Sequence, residues 1–285
     1  MSALSSFLPQ PVIVTRLRAA GCVFAEDEAR LLVATARTPS DLAAMVDRRV
    51  AGLPLEHVLG WAEFCGLRIA VDTGVFVPRR RTEFLVHQAV ALAHRAIGPN
   101  DRPAGQAPDR PWIVVDLCCG SGAVGAALVA ALDRVELHAV DIDPAAVRCA
   151  RRNVAGGRVY EGDLYEPLPA ALRGRVDILT ANAPYVPTGA IGLLPPEARV
   201  HEPRVALDGG ADGLEIQRRV TSAATRWLAP GGHLLIETSE RQAPQTAEAF
   251  ARNGLIPRVA VSEELDATVV VGTMPARDRE IGGVG

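Results

Sequence analysis

Residues 112–125 read WIVVDLCCGSGAVG, an apolar run that ends on Asp116 and passes directly into a glycine-rich turn. A short β-branched run bounded by a turn is a strand covered on both faces. The small-residue stretch after it, GAVGAALVAAL (122–132), is a helix. Gly120, Gly122 and Gly125 therefore spell G-x-G-x-x-G at a strand-to-helix turn. Glycine there allows a tight turn and close approach of backbone to a ligand at the helix N-terminus. Alone the spacing is a weak signal; between a strand and a helix it marks a nucleotide-cofactor loop.

Outward from this turn the same rhythm continues. VELHAVDI (135–142) is a strand, PAAVRCARRNV (144–154) a helix, RVYEGD (158–163) a short strand and VDILTAN (176–182) another. A helix over 213–228, a strand over 232–239, a helix over 243–254 and two closing strands over 255–262 and 267–274 complete the series. Alternation of this kind predicts an α/β fold with a doubly wound sheet, whose ligands bind beyond the carboxyl ends of the strands.

Upstream, three helices are expected at 11–20, 26–37 and 40–51, the last capped by Ser40 or Thr38 and stopped by Pro54. The run 57–78 reads as a β-hairpin and 82–97 as a helix. GPNDRPAGQAPDRP (98–111) is a flexible linker. Two domains follow: a helical domain with its hairpin over 1–82, and an α/β domain over 83–285.

Composition removes whole mechanisms. All 30 basic residues are arginine. Without lysine there is no phosphate-loop lysine, kinase lysine or Schiff base. The net charge of −3 argues against a polycationic nucleic-acid surface. Five cysteines without a C-x-x-C spacing suggest neither zinc nor a disulfide framework, and free thiols fit a reducing cytoplasm. No signal peptide, membrane span or metal is expected, and the six histidines show no ligand spacing.

Four features define the candidate site. Asp141 ends the second strand of the sheet, about 20 residues past the glycines, where an acid accepts ribose hydroxyls; Asp143, before Pro144, is the better helix cap. These fit NAD and S-adenosylmethionine equally. Asp116 separates them, because an anion opposes a pyrophosphate but suits the cationic amino-acid end of S-adenosylmethionine. Asp163 is placed to accept the adenine amino group. The tetrad Asn182-Ala183-Pro184-Tyr185 then follows a strand end. It resembles the Asn-Pro-Pro-Tyr motif of methyltransferases that alkylate planar nitrogens. Such a nitrogen is a poor nucleophile. The Asn182 side-chain oxygen and the residue 183 carbonyl can each accept one N–H and hold it in line, and positioning of this kind supplies up to roughly 7–11 kcal/mol.

The whole chain resembles the HemK-type protein-(glutamine-N5) methyltransferases. RRVAGLPLEHVLGWAEFCGLRIAVDTGVFVPRRRTEFLV carries the hairpin and the Pro-Arg-x-x-Thr-Glu signature. DLCCGSGAVG, AVDIDPAAV, GDLYEPL, NAPY, HEPRVALDGGADGLEIQRRV and APGGHLLIE follow in the family's order. The resemblance implies a class I, Rossmann-like methyltransferase with a seven-stranded sheet whose last strand is antiparallel. It implies cofactor contacts at Cys118, Cys119, Gly120, Ser121, Gly122, Asp141 and Leu164, beside Asp116 and Asp163. Substrate contacts fall on Asn182, Ala183, Pro184 and Tyr185, with Asn182 also near the cofactor. The implied activity is S-adenosylmethionine-dependent methylation of the Gly-Gly-Gln glutamine of class I peptide chain release factors, by a cytoplasmic monomer that holds no nucleic acid stably.

The sequence departs from the family pattern in places. Ala183 replaces proline. Cys118 replaces glycine, and its backbone can follow the same path if φ is negative. Arg80 and Arg81 replace a proline and an acid, so Arg79-Arg80-Arg81 is either a solvated helix start or a docking patch. Glu202 is either a polar contact near the cleft or structural. The helical region reads as about one helix short of family members that grip release factors. The competing activities are the same chemistry on another protein, an RNA or DNA base amino-methyltransferase, an NAD-dependent oxidoreductase, and a silent cofactor-binding module.

Overall fold

The computed structural model describes residues 8–96 and 110–276, so most of the expected linker lies outside the described residues. The chain opens with helices α1 (Gln10–Ala19), α2 (Ala25–Thr35) and α3 (Pro39–Val50). Thr38 is the cap of α3, its Oγ1 accepting from Asp41 N at 3.1 Å. Leu17, Leu32, Leu42 and Val46 turn inward at helical spacing and form a core separate from that of the sheet.

The expected hairpin starts later than the sequence suggested. Pro54 leads a short helix, α4 (Leu55–Leu59), which buries His57 and Val58 and ends on Gly60 at φ +79°. The strands are β1 (Trp61–Phe64) and β2 (Leu67–Ala70), paired antiparallel. Cys65 and Gly66 between them both have positive φ, the geometry that matches the twist of a two-residue hairpin. Phe64, Ile69 and Val71 pack into the same core as Leu85 and Ala89 of α5 (Glu83–Ala96), so the hairpin is held by the sheet's own helix layer.

The remaining elements alternate: β3 (Trp112–Leu117), α6 (Ala123–Ala131), β4 (Val135–Asp141), α7 (Pro144–Asn153), β5 (Arg158–Glu161), β6 (Val176–Ala181), α8 (Pro196–His201), α9 (Glu215–Ala224), β7 (Leu228–Thr238), α10 (Ala243–Arg252), β8 (Ile256–Ser262) and β9 (Ala267–Thr273). They build a seven-stranded sheet in the order β5-β4-β3-β6-β7-β9-β8. β9 is antiparallel to both its neighbours, and the pairings from β5 to β7 are parallel. Side chains of β3 alternate between the two covering layers: Ile113, Val115 and Leu117 face one core and Val114 the other. Burial on both faces explains why the strands read as continuous apolar runs. Strand order reverses at β3, which has β4 on one side and β6 on the other. The loops after β3 and β6 therefore open a crevice at the carboxyl edge, where such sheets bind ligands.

Candidate active site

A cavity of about 1150 Å³ occupies that crevice and reaches the helical region at Pro54 and Glu56. Its floor is the turn after β3. Cys119 N donates to Val140 O, and Gly120, at φ +55°, donates its N–H to Asp141 Oδ2 at 2.7 Å. Cys118 also sits at φ +55°, so the negative φ anticipated for it is not what the turn uses. A cysteine holds a left-handed position natural to glycine, at a cost of about 1–2 kcal/mol. Cys118, Cys119, Gly120 and Ser121 line the cavity. Gly122 is not among the residues that line it. A Cβ on Gly122 would stand 2.8 Å from Val154 Cγ2 and 3.1 Å from Ala150 Cβ, and one on Gly125 would stand 2.9 Å from Leu137 Cδ2. The second and third glycines of the motif serve helix packing; the first serves the cavity wall.

The three acids arrive from three strand ends. Asp116 is 1 % exposed, accepts from Gly125 N at 3.1 Å and from Thr180 Oγ1 at 3.0 Å, and lines the cavity. Burial pushes its carboxyl up to about 7, against the two hydrogen bonds. Asp141 is also raised, first by burial; backbone N–H groups of Asp143 and Gly120 work the other way. Asp143 takes the cap of α7, its Oδ1 accepting from Ala145 N at 2.8 Å. Asp163 lines the cavity beside Leu164 and pairs with Arg219 of α9 at 2.6 Å.

The tetrad leaves β6 along the opposite wall. Asn182, Ala183, Pro184 and Tyr185 all line the cavity, and Ala183 is fully buried. A glycine-rich segment clamps their backbone. Val186 N donates to Leu207 O, Gly209 N donates to Val186 O, and Gln242 Nε2 donates to Tyr185 O at 3.0 Å. A Cβ on Gly209 would lie 2.6 Å from Pro184 O, and one on Gly213 would lie 2.3 Å from Tyr185 O. The spacing of the D-G-G-A-D-G run (208–213) is thus the price of close approach to the tetrad loop.

Several wall residues escaped sequence reasoning. Thr82 Oγ1 accepts from Asn182 Nδ2 at 3.2 Å. Glu237, at the carboxyl end of β7, is 2 % exposed, with Tyr185 Oη at 3.5 Å and Arg81 Nε at 3.4 Å from its Oε1. Burial raises the Glu237 carboxyl and pushes the Tyr185 phenol up to about 12. Glu202 accepts from Val77 N and from Arg79, and also lines the cavity. It is at once structural and a cleft residue. Within the arginine triplet, Arg79 and Arg81 line the cavity and engage buried carboxylates, while Arg80 and Arg81 are both exposed at the turn that opens α5. The signals available were Thr82 and Arg79 inside the Pro-Arg-x-x-Thr-Glu signature, and an acid ending a parallel strand.

Comparison with known proteins agrees with this geometry. Residues 108–193 match the family model described as methyltransferase small domain. The release factor glutamine methyltransferase of Geobacter sulfurreducens is 38% identical over 223 residues, covering 76% of this chain and 72% of that one. The enzyme of the same name from Mycolicibacterium smegmatis is 36% identical over 245 residues, covering 84% and 82%. The chain belongs to the release factor glutamine methyltransferase family. A 4-amino-L-phenylalanine/4-methylamino-L-phenylalanine methyltransferase of Streptomyces pristinaespiralis is 35% identical over 211 residues, covering 73% and 69%.

The protein is accordingly a methyltransferase, and its cofactor is S-adenosylmethionine. The cavity fits that group. A buried carboxylate, Asp116, and a half-buried one, Asp141, suit a ligand that carries a cation and hydroxyl donors. A Cβ at Gly120 would meet nothing within 4 Å, so the turn leaves open space beside its backbone. Among the described residues no His, Cys, Asp or Glu cluster could hold a metal ion, and no helix is long and apolar enough to cross a membrane.

Proposed function

We propose that this enzyme methylates a glutamine side-chain nitrogen of a class I peptide chain release factor, in the Gly-Gly-Gln loop. The observation that carries the reading is Asn182: its amide nitrogen is bound to Thr82 inside the cavity, which leaves its oxygen to accept from a substrate N–H. The relatives' names supply the substrate.

On this reading Asp116 holds the cofactor's ammonium end, Asp141 its ribose hydroxyls, and Asp163 with Leu164 its adenine. Cys118, Cys119, Gly120 and Ser121 supply backbone around it. The cofactor provides an electrophilic methyl group on a sulfonium. Asn182 Oδ1 and the Ala183 carbonyl accept the two N–H groups of the glutamine amide, which fixes the lone pair in line with that methyl. The family uses the carbonyl of the second tetrad residue, so alanine serves there as proline does. Tyr185 offers its ring face to the planar amide. The proton is lost to water after alkylation, when the nitrogen has become acidic. The domain over 1–82 recognises the protein partner, its last residues Arg79, Arg81 and Thr82 also lining the cavity, and the domain over 83–285 carries the chemistry. The enzyme acts as a cytoplasmic monomer and holds no nucleic acid stably.

The test is the intact mass and peptide map of a purified class I release factor incubated with the protein and S-adenosylmethionine. One added methyl on the Gly-Gly-Gln glutamine supports the reading. No added methyl, with cofactor bound in the same sample, refutes it. A parallel incubation with 4-amino-L-phenylalanine then asks whether a free aromatic amine is the acceptor.

A further inference from the structure

Beside the tetrad the cavity wall carries a guanidinium with unpaired donors. Arg81 belongs to the 3-10 turn Arg80–Thr82 that opens α5, lines the cavity and keeps 45% of its side chain exposed. Its Nε stands 3.4 Å from Glu237 Oε1, and Glu237, at the end of β7, is 2 % exposed. A buried carboxylate therefore anchors the Nε edge of the guanidinium while the rest stays within reach of water. Among the described residues neither Nη group of Arg81 has a hydrogen-bond or ion-pair partner. Arg79 is different, because its Nη2 is taken by Glu202. The Arg81 Cζ lies 6.0 Å from the centroid of the Tyr185 ring, whereas that of Arg68 lies 4.0 Å over Trp61 as a stacked pair does. Arg81 stands off the Tyr185 ring instead of covering it, so an aromatic face and a free guanidinium share one corner of the cavity.

A primary amide brings three hydrogen-bonding demands into that corner: two N–H donors and one carbonyl oxygen. Asn182 Oδ1 and the Ala183 carbonyl, in the roles given to them above, take the two donors. Both are acceptors, so neither can serve the carbonyl oxygen. A carbonyl that leaves water without finding a donor weakens binding about tenfold or more. A guanidinium holds its donors in one plane, and a bond from a cation is stronger than a neutral one. The course of the reaction decides what such a bond can do. As the nitrogen is alkylated the amide loses electron density, and its oxygen becomes a weaker acceptor. A donor on that oxygen holds the ground state at least as well as the transition state, so it lowers KM without raising kcat.

We propose that Arg81 is a specificity-determining residue for the acceptor: its free Nη groups donate to the side-chain carbonyl oxygen of the glutamine, while Glu237 holds the guanidinium beside Tyr185. The inference rests on the acceptor roles given to Asn182 and Ala183. It goes beyond them by naming the group that tells a carboxamide from an amine with no carbonyl next to it.

The test is a double-mutant cycle between enzyme and acceptor. Full-length wild type is compared with Arg81→Met, which keeps an unbranched stem and loses the donors. Each is titrated with release factor by calorimetry in saturating S-adenosylhomocysteine, the demethylated cofactor. Two release factors are used: the natural one, and one whose Gly-Gly-Gln glutamine is replaced by methionine, which fills similar space without an amide. Arg81→Met is expected to bind the glutamine form about tenfold more weakly than wild type does, and the methionine form equally well. In the methyl-transfer assay the same variant is expected to raise KM about tenfold with kcat and cofactor affinity unchanged. Unchanged affinity for the glutamine form, an equal loss on both forms, or a fall in kcat at constant KM overturns the proposal. The equal loss would mark a disturbed wall rather than lost recognition of the amide. A wild-type protein that neither binds nor methylates release factor overturns the substrate reading, and this inference falls with it.

Discussion

Acidification is expected to weaken cofactor binding through Asp116. This carboxyl is buried, titrates at about 7, and lies at the end of β3 on the cavity wall. Loss of water around it is the main cause of its raised value. Its neutral form loses its attraction for a cation, so affinity falls as pH falls. If only the ionised form binds the ammonium end of the cofactor, the dissociation constant scales inversely with the ionised fraction. That fraction is about 0.5 near pH 7 and about 0.03 near pH 5.5, which gives about 16-fold weaker binding, or about 1.6 kcal/mol. Calorimetry at the two pH values measures it. The upper value is kept near 7 because an ordinary α-amino group titrates at about 8 and the cofactor must stay cationic. Asp141 is raised in the same direction, so the variant Asp116→Asn separates the two acids. It is expected to bind weakly at both pH values with most of the dependence gone. Equal wild-type affinity at both values, or the full dependence retained in Asp116→Asn, would refute the assignment.

Three further substitutions probe the other walls. Asn182→Ala is expected to remove roughly 3 kcal/mol of transition-state stabilisation, about a hundredfold in kcat, by analogy with the loss of one oriented polar contact. Unchanged turnover in a methyl-transfer assay would end its catalytic role. Gly209→Ala places a Cβ 2.6 Å from Pro184 O and 2.7 Å from Gly213 O. It should cost about 1–3 kcal/mol in urea denaturation and slow turnover while cofactor affinity holds, since the strain falls on the tetrad loop. Cys118→Gly relieves a left-handed cysteine worth about 1–2 kcal/mol but adds about 0.5–1 kcal/mol of unfolded-state entropy. A net gain of about 0–1.5 kcal/mol is expected by the same denaturation, and a clear loss would show that the turn does not strain the cysteine.

The fold was legible because its information is local. The central strands β3, β6 and β9 are apolar runs buried on both faces, whereas the edge strands β5 and β8 are largely exposed. The end of α3 and the cap at Thr38 follow from the same short-range chemistry. What local reading missed has equally physical reasons. Pro54 ends one helix pattern but also starts another, and Gly60 at φ +79° closes it after one turn, so α4 passed for the first strand of the hairpin. β7 begins at Leu228, four residues before the expected strand, because it runs through Pro230, Gly231 and Gly232 with a register shift against β6 between Val176 and Ile178. Those residues read as a turn when the partner strand is unknown. The short α8 has no buried residue, so it lacks the apolar periodicity by which a helix declares itself.

The candidate site divides along the same line. Asp116, Asp141, Asp163 and Asn182 each stand at the end of a strand, and the rule that ligands bind at carboxyl ends brought them forward. Gly122 adds a second reason for the motif's glycine: its missing Cβ makes room for Val154 and Ala150. Arg79 and Arg81 are the opposite case. Three consecutive arginines are usually a solvated face, because buried cations need acids and no acid partner lies beside them in the sequence. Glu202 is 123 residues from Arg79, and Glu237 belongs to the far side of the same cavity. Only the closed fold sets these charges together, and closing it makes both carboxylates costly without a partner. Each keeps one oxygen, Oε2, without a protein hydrogen bond. The arginines therefore do two things at once: they offset the burial of Glu202 and Glu237, and they set two cations into the cavity wall beside Phe76 and Tyr185.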